Sequence, residues 1–463
     1  MPADRLPRAL VWVACAGAAL LLTPRRAGAA ACVPIGGSTS AGNWYCDPFV
    51  ADGSVEVDGT EPLVPSFPDA ATRYAVIAYK FKDKTKVLRI HGSFASARFE
   101  NLNVELFTTT GSLYTRVGNV VINDYDQQNE SRRGCKLTID ANCGPDLVAA
   151  SGCNPATSPN PAACHGDPYE VALVDAASAT AWKNLHANQI ITVIPIQAPP
   201  ADVTAVRVAW RVANGGNASA PGISWETTAG AGTSGPAAPD LQNDFAPETV
   251  TLGVAPCGTS NCAFETYHID PGPGQLHNYA TEYVGATVKL LNASTDVVVL
   301  KFRAADSAIN YPATAFDTTD DFRYWSACLG YDTTTTITSP TLGCSRDQDN
   351  PLGTPADGYE RVVIGPETNV SCPGMGTVSL ATCAQSRRHH YVSWGSLSTS
   401  TNRVFLYRNV MTNPAFPGAA NQIPACTGNS CLPASSYVGS WAPRGKHCAL
   451  STYLSSPASC EAF

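Results

Sequence analysis

The segment Asp347-Gln348-Asp349-Asn350, with Gly353, Asp357 and Glu360 close behind, concentrates carboxylate and amide oxygens in one short loop. Hard oxygen donors of this kind are what calcium takes. Asp347, Asp349, Asn350 and Asp357 are therefore candidate ligands of a structural ion, with a solvated turn as the plainer alternative. The EF-hand pattern and its helical flanks are missing. A second cation set is His268-Ile269-Asp270 with His277, since a spacing of two puts His268 and Asp270 on one face of a strand. The same residues lead into Pro271-Gly272-Pro273-Gly274, which suits a surface loop equally. His389 and His390 are adjacent, so on a strand they point to opposite faces and only one can join a given site. There is no H-E-x-x-H motif.

Glycoside cleavage needs two carboxyl groups about 5–5.5 or about 6.5–9.5 Å apart. Asp320, Asp321, Glu360, Glu265 and Glu282 are candidates, and their spacing in space is not written in the sequence. No G-x-S-x-G elbow is present. Tyr324, Trp325, Tyr331, Tyr359 and Trp394 could form a sugar-stacking platform, although alternate positions on sandwich strands usually point into a core. Arg98 and Arg323 sit beside aromatic residues, where a guanidinium either pairs with a carboxylate such as Asp69 or Asp321 or anchors a ligand.

These groups must be held by a scaffold, and the cysteines describe part of it. Of 17, Cys15 lies in the leader and 16 remain. In chain order they form close pairs: Cys32 with Cys46, Cys135 with Cys143, Cys153 with Cys164, Cys257 with Cys262, Cys328 with Cys344, Cys372 with Cys383, Cys426 with Cys431, and Cys448 with Cys460. Sequence does not fix connectivity, but local staples are the economical reading. Zinc sites favour C-x₂-C spacing, which does not occur here.

Residues 1–30 read as a signal peptide. Arg5 and Arg8 precede an apolar run from Ala9 to Leu22, and Ala27-Gly28-Ala29 offers a cleavage site. The run is short for a membrane span, and no later stretch is apolar for long enough to make a transmembrane helix. The whole chain carries a net charge of −8, and the leader holds four Arg and one Asp, so its removal leaves about −11. Such a surface opposes nucleic-acid binding, which depends on neutralising phosphates. Export and disulfides point to a secreted, periplasmic or extracellular protein.

Charged residues are only 15% of the chain, and Gly and Pro are frequent, which suits an all-β fold rich in turns. In Val206, Val208, Trp210 and Val212 the apolar residues alternate with Arg207, Ala209 and Arg211, predicting a strand with one buried face. Asp175 to His186 is the one helical stretch, with Asp175 as a candidate cap. We expect two β-sandwich or jelly-roll-like domains, over 31–212 and 241–463, with very little helix and no βαβ alternation. Residues 213–240 are Gly/Ala/Ser/Pro-rich and read as a linker or long loop. From Met411 the tail reads as coil pinned by disulfides.

Tyr324-Trp325-Ser326, Tyr331-Asp332, Asp357-Gly358-Tyr359, Trp394 and Leu406-Tyr407-Arg408-Asn409 with Pro414 occur in an order that resembles the C-terminal half of bacterial exported proteins of the domain-of-unknown-function 1254 and 1214 type. Pro68-Asp69 to Tyr74 and Gly92 to Phe99 are similar to an early motif of related secreted proteins. The resemblance implies β-rich sandwich domains and export, and implies no activity. The expected function is a binding or structural module for extracellular polymer such as carbohydrate, with Arg98, Arg323, Tyr324, Trp325, Tyr359 and Trp394 as binding candidates. The alternative is an extracellular polysaccharide hydrolase using a carboxylate acid/base pair.

Overall fold

In the computed structural model the described residues are 33–34, 44–46, 72–95, 99–123, 152–153, 164, 166–197, 202–213, 220–239, 244–245, 262–269, 281–289, 292, 294–306, 321–322, 324–331, 341–349, 352–395, 403–410, 416–424 and 432–463. The leader, Arg98, Arg323, Asn350, Asp270 and His277 lie outside them.

The first group of elements is β1 (Val33–Pro34), β2 (Tyr45–Cys46), β3 (Thr72–Lys80), β4 (Lys86–Ser93), β5 (Phe99–Thr110), β6 (Leu113–Asn123), β7 (Pro168–Asp175), α1 (Ala176–Leu185), β8 (Thr192–Ile196), β9 (Ala205–Ala213) and β10 (Gly222–Thr227). They make sheet A, ordered β1-β2-β3-β9-β5-β6, and sheet B, ordered β10-β4-β7-β8. Alternate residues of both sheets share one core: Ile77 and Tyr79, Leu102 and Val104, Val208 and Trp210 from sheet A meet Leu88 and Ile90, Val171 and Leu173, and Trp225 from sheet B. This is sandwich packing, in which the period of two sends every second side chain inward.

The second group is β11 (Ala263–Glu265), β12 (Tyr267–His268), β13 (Thr281–Val288), β14 (Asp296–Arg303), β15 (Tyr324–Tyr331), β16 (Thr341–Arg346), β17 (Tyr359–Gly365), β18 (Asn369–Cys372), β19 (Gly376–Ser379), α2 (Leu380–Ser386), β20 (His390–Ser393), β21 (Arg403–Val410), α3 (Ser435–Val438), β22 (Arg444–Ala449) and α4 (Leu450–Ser455). Sheet C is ordered β11-β22-β14-β17-β20 and sheet D β12-β13-β21-β15-β16. Val298, Leu300, Val362 and Ile364 of sheet C share a core with Val284, Trp325, Leu329, Phe405 and Tyr407 of sheet D.

The two groups repeat one topology. The order β2-β3-β9-β5-β6 of sheet A recurs as β12-β13-β21-β15-β16, and β10-β4-β7-β8 of sheet B recurs as β22-β14-β17-β20. Each group has one parallel strand pair, β7 with β8 and β17 with β20, and a helix in the crossover between them, α1 or α2. Strand register carries the equivalence down to residues. Arg211 lies opposite Tyr74 and Asn101, and Arg408 lies opposite Tyr283 and Ser326. The sequence echoes this in Thr72-x-Tyr74 against Thr281-x-Tyr283, in Trp210-Arg211 against Tyr407-Arg408, and in Arg98-Phe99 against Arg323-Tyr324. The β18–β19 hairpin is an addition to the second crossover.

Several expectations change here. Two βαβ units exist where no such alternation was expected. The first escapes notice because the parallel pairing of β7 with β8 across the α1 helix is not a local pattern, and the second because α2 is only seven residues long. Asp175 caps α1, its side chain accepting from the Ala177 amide, and Ser379 caps α2 through Thr382 N. Residues 222–227, inside the Gly- and Ala-rich segment, form β10, because Trp225 buries its ring in the first core. Phe245 packs on Phe107 and Tyr114 of the same group. The tail is not simple coil: β22 enters sheet C between β11 and β14, and α4 follows it directly.

Strand β9 buries both faces rather than one, Arg207 and Arg211 each being 1% exposed. Arg207 is tolerated there because Glu105 accepts from its Nε at 2.6 Å and the Phe107 and Phe245 rings flank its guanidinium.

Four cystines are present among the described residues, Cys153–Cys164, Cys328–Cys344, Cys372–Cys383 and Cys448–Cys460, each the expected local pair. Cys262 is also disulfide-bonded. The other four expected pairs fall wholly or partly outside the described residues. Both members are outside for Cys135 with Cys143 and for Cys426 with Cys431. One member is outside for Cys32 with Cys46, namely Cys32, and one for Cys257 with Cys262, namely Cys257.

Candidate binding cleft

Sheet C builds a row of charges from strand register alone. Glu265 on β11 is paired with Arg444 on β22, Arg444 with Lys301 on β14, and Lys301 with Arg361 on β17. Directly opposite residues point to the same face, so three cations stand side by side. Like charges in that position repel, and the fold answers with carboxylates. Arg444 Nε donates to Glu265 Oε1 at 2.7 Å, and Ser435 Oγ donates to Glu265 Oε2 at 2.9 Å. Glu461 reaches the row from beyond α4, its Oε2 lying 2.7 Å from Arg361 Nε and 3.6 Å from Lys301 Nζ.

Asp357 takes the other side of Arg361, with contacts of 3.0 and 2.5 Å to its terminal nitrogens. These hydrogen bonds hold the Asp357 carboxyl well below its ordinary value, at about 2. Burial works against the Arg361 charge, and Asp357 and Glu461 more than offset it, so its pKa is raised. His389 continues the row. Burial first, then the charges of Arg361 and Arg387, push its imidazole down to about 3, and its Nδ1 lies 3.0 Å from the Tyr453 hydroxyl.

Above this row lies an open cleft of about 690 Å³, lined by Glu265, Lys301, Tyr359, Arg444, Glu461 and Phe463, with Ser435 and Ser440 at its side. Lys301 Nζ sits 4.8 Å from the centre of the Tyr359 ring, and the Arg444 guanidinium 5.5 Å from that of Phe463. The wall formed by residues 461–463 is tied down. Cys448–Cys460 staples it to β22, and Lys446 Nζ donates to the Ser459 and Ala462 carbonyls.

The binding candidates whose side chains are described, Trp325, Tyr359 and Trp394, do not converge. Trp325 and Trp394 are 2% and 0% exposed and belong to the hydrophobic core, so a platform role for them is corrected to packing. Trp325 meets Phe302 and His390 edge-on, and Arg403 lies over Trp394. The backbone of Tyr324 is in β15 and its side chain is outside the description. Among the described candidates, Tyr359 alone is placed on the cleft.

Nor do the described calcium candidates Asp347, Asp349 and Asp357 gather. Asp349 accepts from the backbone and Nε of Arg346, Asp357 is engaged by Arg361, and Asp347 is buried. Among the described residues no group of three or more His, Cys, Asp or Glu could hold a metal.

Two Ser-His-Glu sets were missed, since their members lie far apart in sequence. Inside the second sandwich Ser345 Oγ lies 3.0 Å from His390 Nδ1, and His390 Nε2 lies 3.2 Å from Glu360 Oε2. Ser345 is 2% exposed, so this set is sealed from substrate and acts as a polar lock between sheets. On the outer face of sheet B, His91 Nε2 is 2.7 Å from Ser224 Oγ, but its Nδ1 is 3.8 Å from Glu170, beyond hydrogen-bonding distance. The adjacency reading of His389 and His390 does hold: one faces Tyr453, the other Glu360.

No family model matches the chain, and no curated protein does. Among solved structures it is similar to an uncharacterized protein from Burkholderia cenocepacia, at 10% identity and a TM-score of 0.39 over 83% of this chain and 78% of that one. The PBCV-1 virus capsid follows at 10% identity and a TM-score of 0.16, covering 83% and 90%. The N-terminal CBM22-1-CBM22-2 tandem domain from Paenibacillus barcinonensis Xyn10C follows at 8% and 0.14, covering 89% and 99%. These likenesses are too slight to carry an argument about fold or function. No helix among the described residues is long and apolar enough to cross a membrane.

Proposed function

We propose that this disulfide-rich all-β protein is an exported, non-catalytic binding module for extracellular polymer, carbohydrate above all, and that the cleft over sheet C is its ligand site. The observation that carries this is the lining: two partly exposed aromatic rings, Tyr359 and Phe463, stand beside serine hydroxyls and charged groups in one open cleft of about 690 Å³. Such a size and mixture suit a ligand that presents both apolar faces and hydroxyls. The disulfides agree with an oxidising compartment, and the resemblance to exported proteins points the same way.

The hydrolase alternative is less favoured by the same site. Glu265 and Glu461 are the carboxylates of the cleft, and each is engaged by an arginine, whereas a glycosidase acid must present a proton to its substrate.

The test is to incubate the oxidised protein with soluble and insoluble polysaccharides and measure retained protein and released sugar in the same tubes. Retention that drops in Tyr359→Ala and Phe463→Ala, without sugar release, is expected. Release of reducing sugar that disappears in Glu265→Gln or Glu461→Gln would reverse the reading.

A further inference from the structure

The charged groups of the cleft are unevenly engaged. Glu265 uses one oxygen on Arg444 and the other on Ser435. Glu461 directs Oε2 to Arg361 and Lys301, and its Oε1 faces His389 at 3.9 Å. Asp357 has both oxygens on Arg361. The carboxylate oxygens are thus already engaged, Glu461 Oε1 excepted.

The donors are less so. Arg444 gives only its Nε to a hydrogen-bond partner, and its Nη1 and Nη2 make no hydrogen bond to a described residue. Its side chain is 39% exposed. Lys301 has a ring face at 4.8 Å and a carboxylate at 3.6 Å, and no hydrogen-bond partner closer than that among the described residues. A guanidinium fork and an ammonium therefore stand as strand neighbours on one floor, with the Nη and Nζ hydrogens making no hydrogen bond to a described residue. Two parallel guanidinium N–H groups match the two oxygens of a carboxylate or sulfate, and a charge-assisted bond of this kind is stronger than one to a neutral hydroxyl.

We propose that the cleft selects acidic glycans, with Arg444 and Lys301 receiving the carboxylate or sulfate of one sugar and the Tyr359 and Phe463 side supporting its ring. This rests on the cleft being the ligand site. It adds what the site selects, which its shape alone does not state.

The test compares oligomers of galacturonate with oligomers of galactose, matched in length, at low and physiological ionic strength. The acidic oligomer should bind about tenfold to a hundredfold tighter. Arg444→Gln and Lys301→Gln should each remove most of that advantage, lowering acidic-oligomer binding far more than galactose binding. Each substitution also removes an ion-pair partner, and a cooperative thermal unfolding transition shows that the variants fold.

Equal affinity for the two oligomers, or an acidic preference that survives both substitutions, overturns the selectivity while the binding-module reading stands. Retention of neither oligomer removes the glycan reading, and poly-glutamate then decides the rest. Its binding in an Arg444-dependent manner would keep the anion site and discard the sugar, and its failure to bind would end both.

Discussion

Glu461→Gln keeps the shape of a side chain that serves as common counter-ion to the cation row, and removes its charge. The carboxylate lies 2.7 Å from Arg361 Nε and 3.6 Å from Lys301 Nζ, with side-chain exposures of 10% for Glu461, 8% for Arg361 and 24% for Lys301. At about 4 Å and an effective dielectric constant of about 20, each attraction is of the order of 4 kcal/mol before desolvation. Most of that is cancelled by the loss of water, and removing one partner of a buried pair costs about 3–5 kcal/mol. Asp357 still holds Arg361, and Lys301 is partly solvated, so the lower end applies, about 3 kcal/mol.

For a unit of this size such a loss corresponds to about 6–12 °C in Tm, which calorimetry reads directly. The register supplies a sharper check. Without Glu461, Lys301 faces Arg361 and Arg444 across both neighbouring strands. Lys301→Met should therefore destabilise the wild-type protein and be neutral or stabilising in the Glu461→Gln background. A double-mutant cycle should return a coupling of at least about 1 kcal/mol. Additive effects, or a Glu461→Gln loss under about 0.5 kcal/mol, would refute the counter-ion argument.

Three further outcomes are expected. Because the His389 pKa is pushed down to about 3 in the folded protein, the unfolded chain binds more protons below its ordinary value of about 6.5, and stability should fall as pH drops through that window. The steepest slope is about 1.4 kcal/mol per pH unit, and His389→Gln should flatten it in denaturant titrations between those values. His447, lowered by burial as well, adds a slope of the same sign that would persist. Trp394→Ala, at a fully buried position, should cost about 3–5 kcal/mol while ligand retention by the folded fraction stays unchanged; selective loss of retention would return Trp394 to the binding surface. Replacing Cys372 and Cys383 by Ala opens a loop with a separation of 11 residues, worth about 3 kcal/mol in the chain-entropy account, and a Tm within about 2 °C of wild type would count against it.

How much of this the sequence discloses depends on where each constraint acts. The alternation in Val206 to Val212 and the cap at Asp175 are local, and both are visible. The buried second face of β9 is not, because Arg207 tolerates burial only through Glu105, a residue 102 positions away. Strand β22 shows no apolar alternation, since its Arg444 and Lys446 face outward and Gly445 is pressed against the Phe264 ring. Tyr359 was named as a candidate for its ring, but its partners Lys301, Arg444 and Phe463 are assembled by register and by the returning tail, and no spacing in the chain announces them.

The repeated topology makes the molecule its own reference. Counted from the first residue of each strand, the place of Lys301 in β14 is held in β4 by His91, whose cross-strand neighbours are Glu170 and Gly222 where Lys301 has Arg361 and Arg444. One framework thus accepts an imidazole and a carboxylate at the address where its counterpart carries three cations. Binding chemistry here belongs to a row of side chains and the segment that walls it, not to the arrangement of strands, so the first unit offers a scaffold of matched geometry into which the row could be transplanted, or against which its loss could be compared within a single chain.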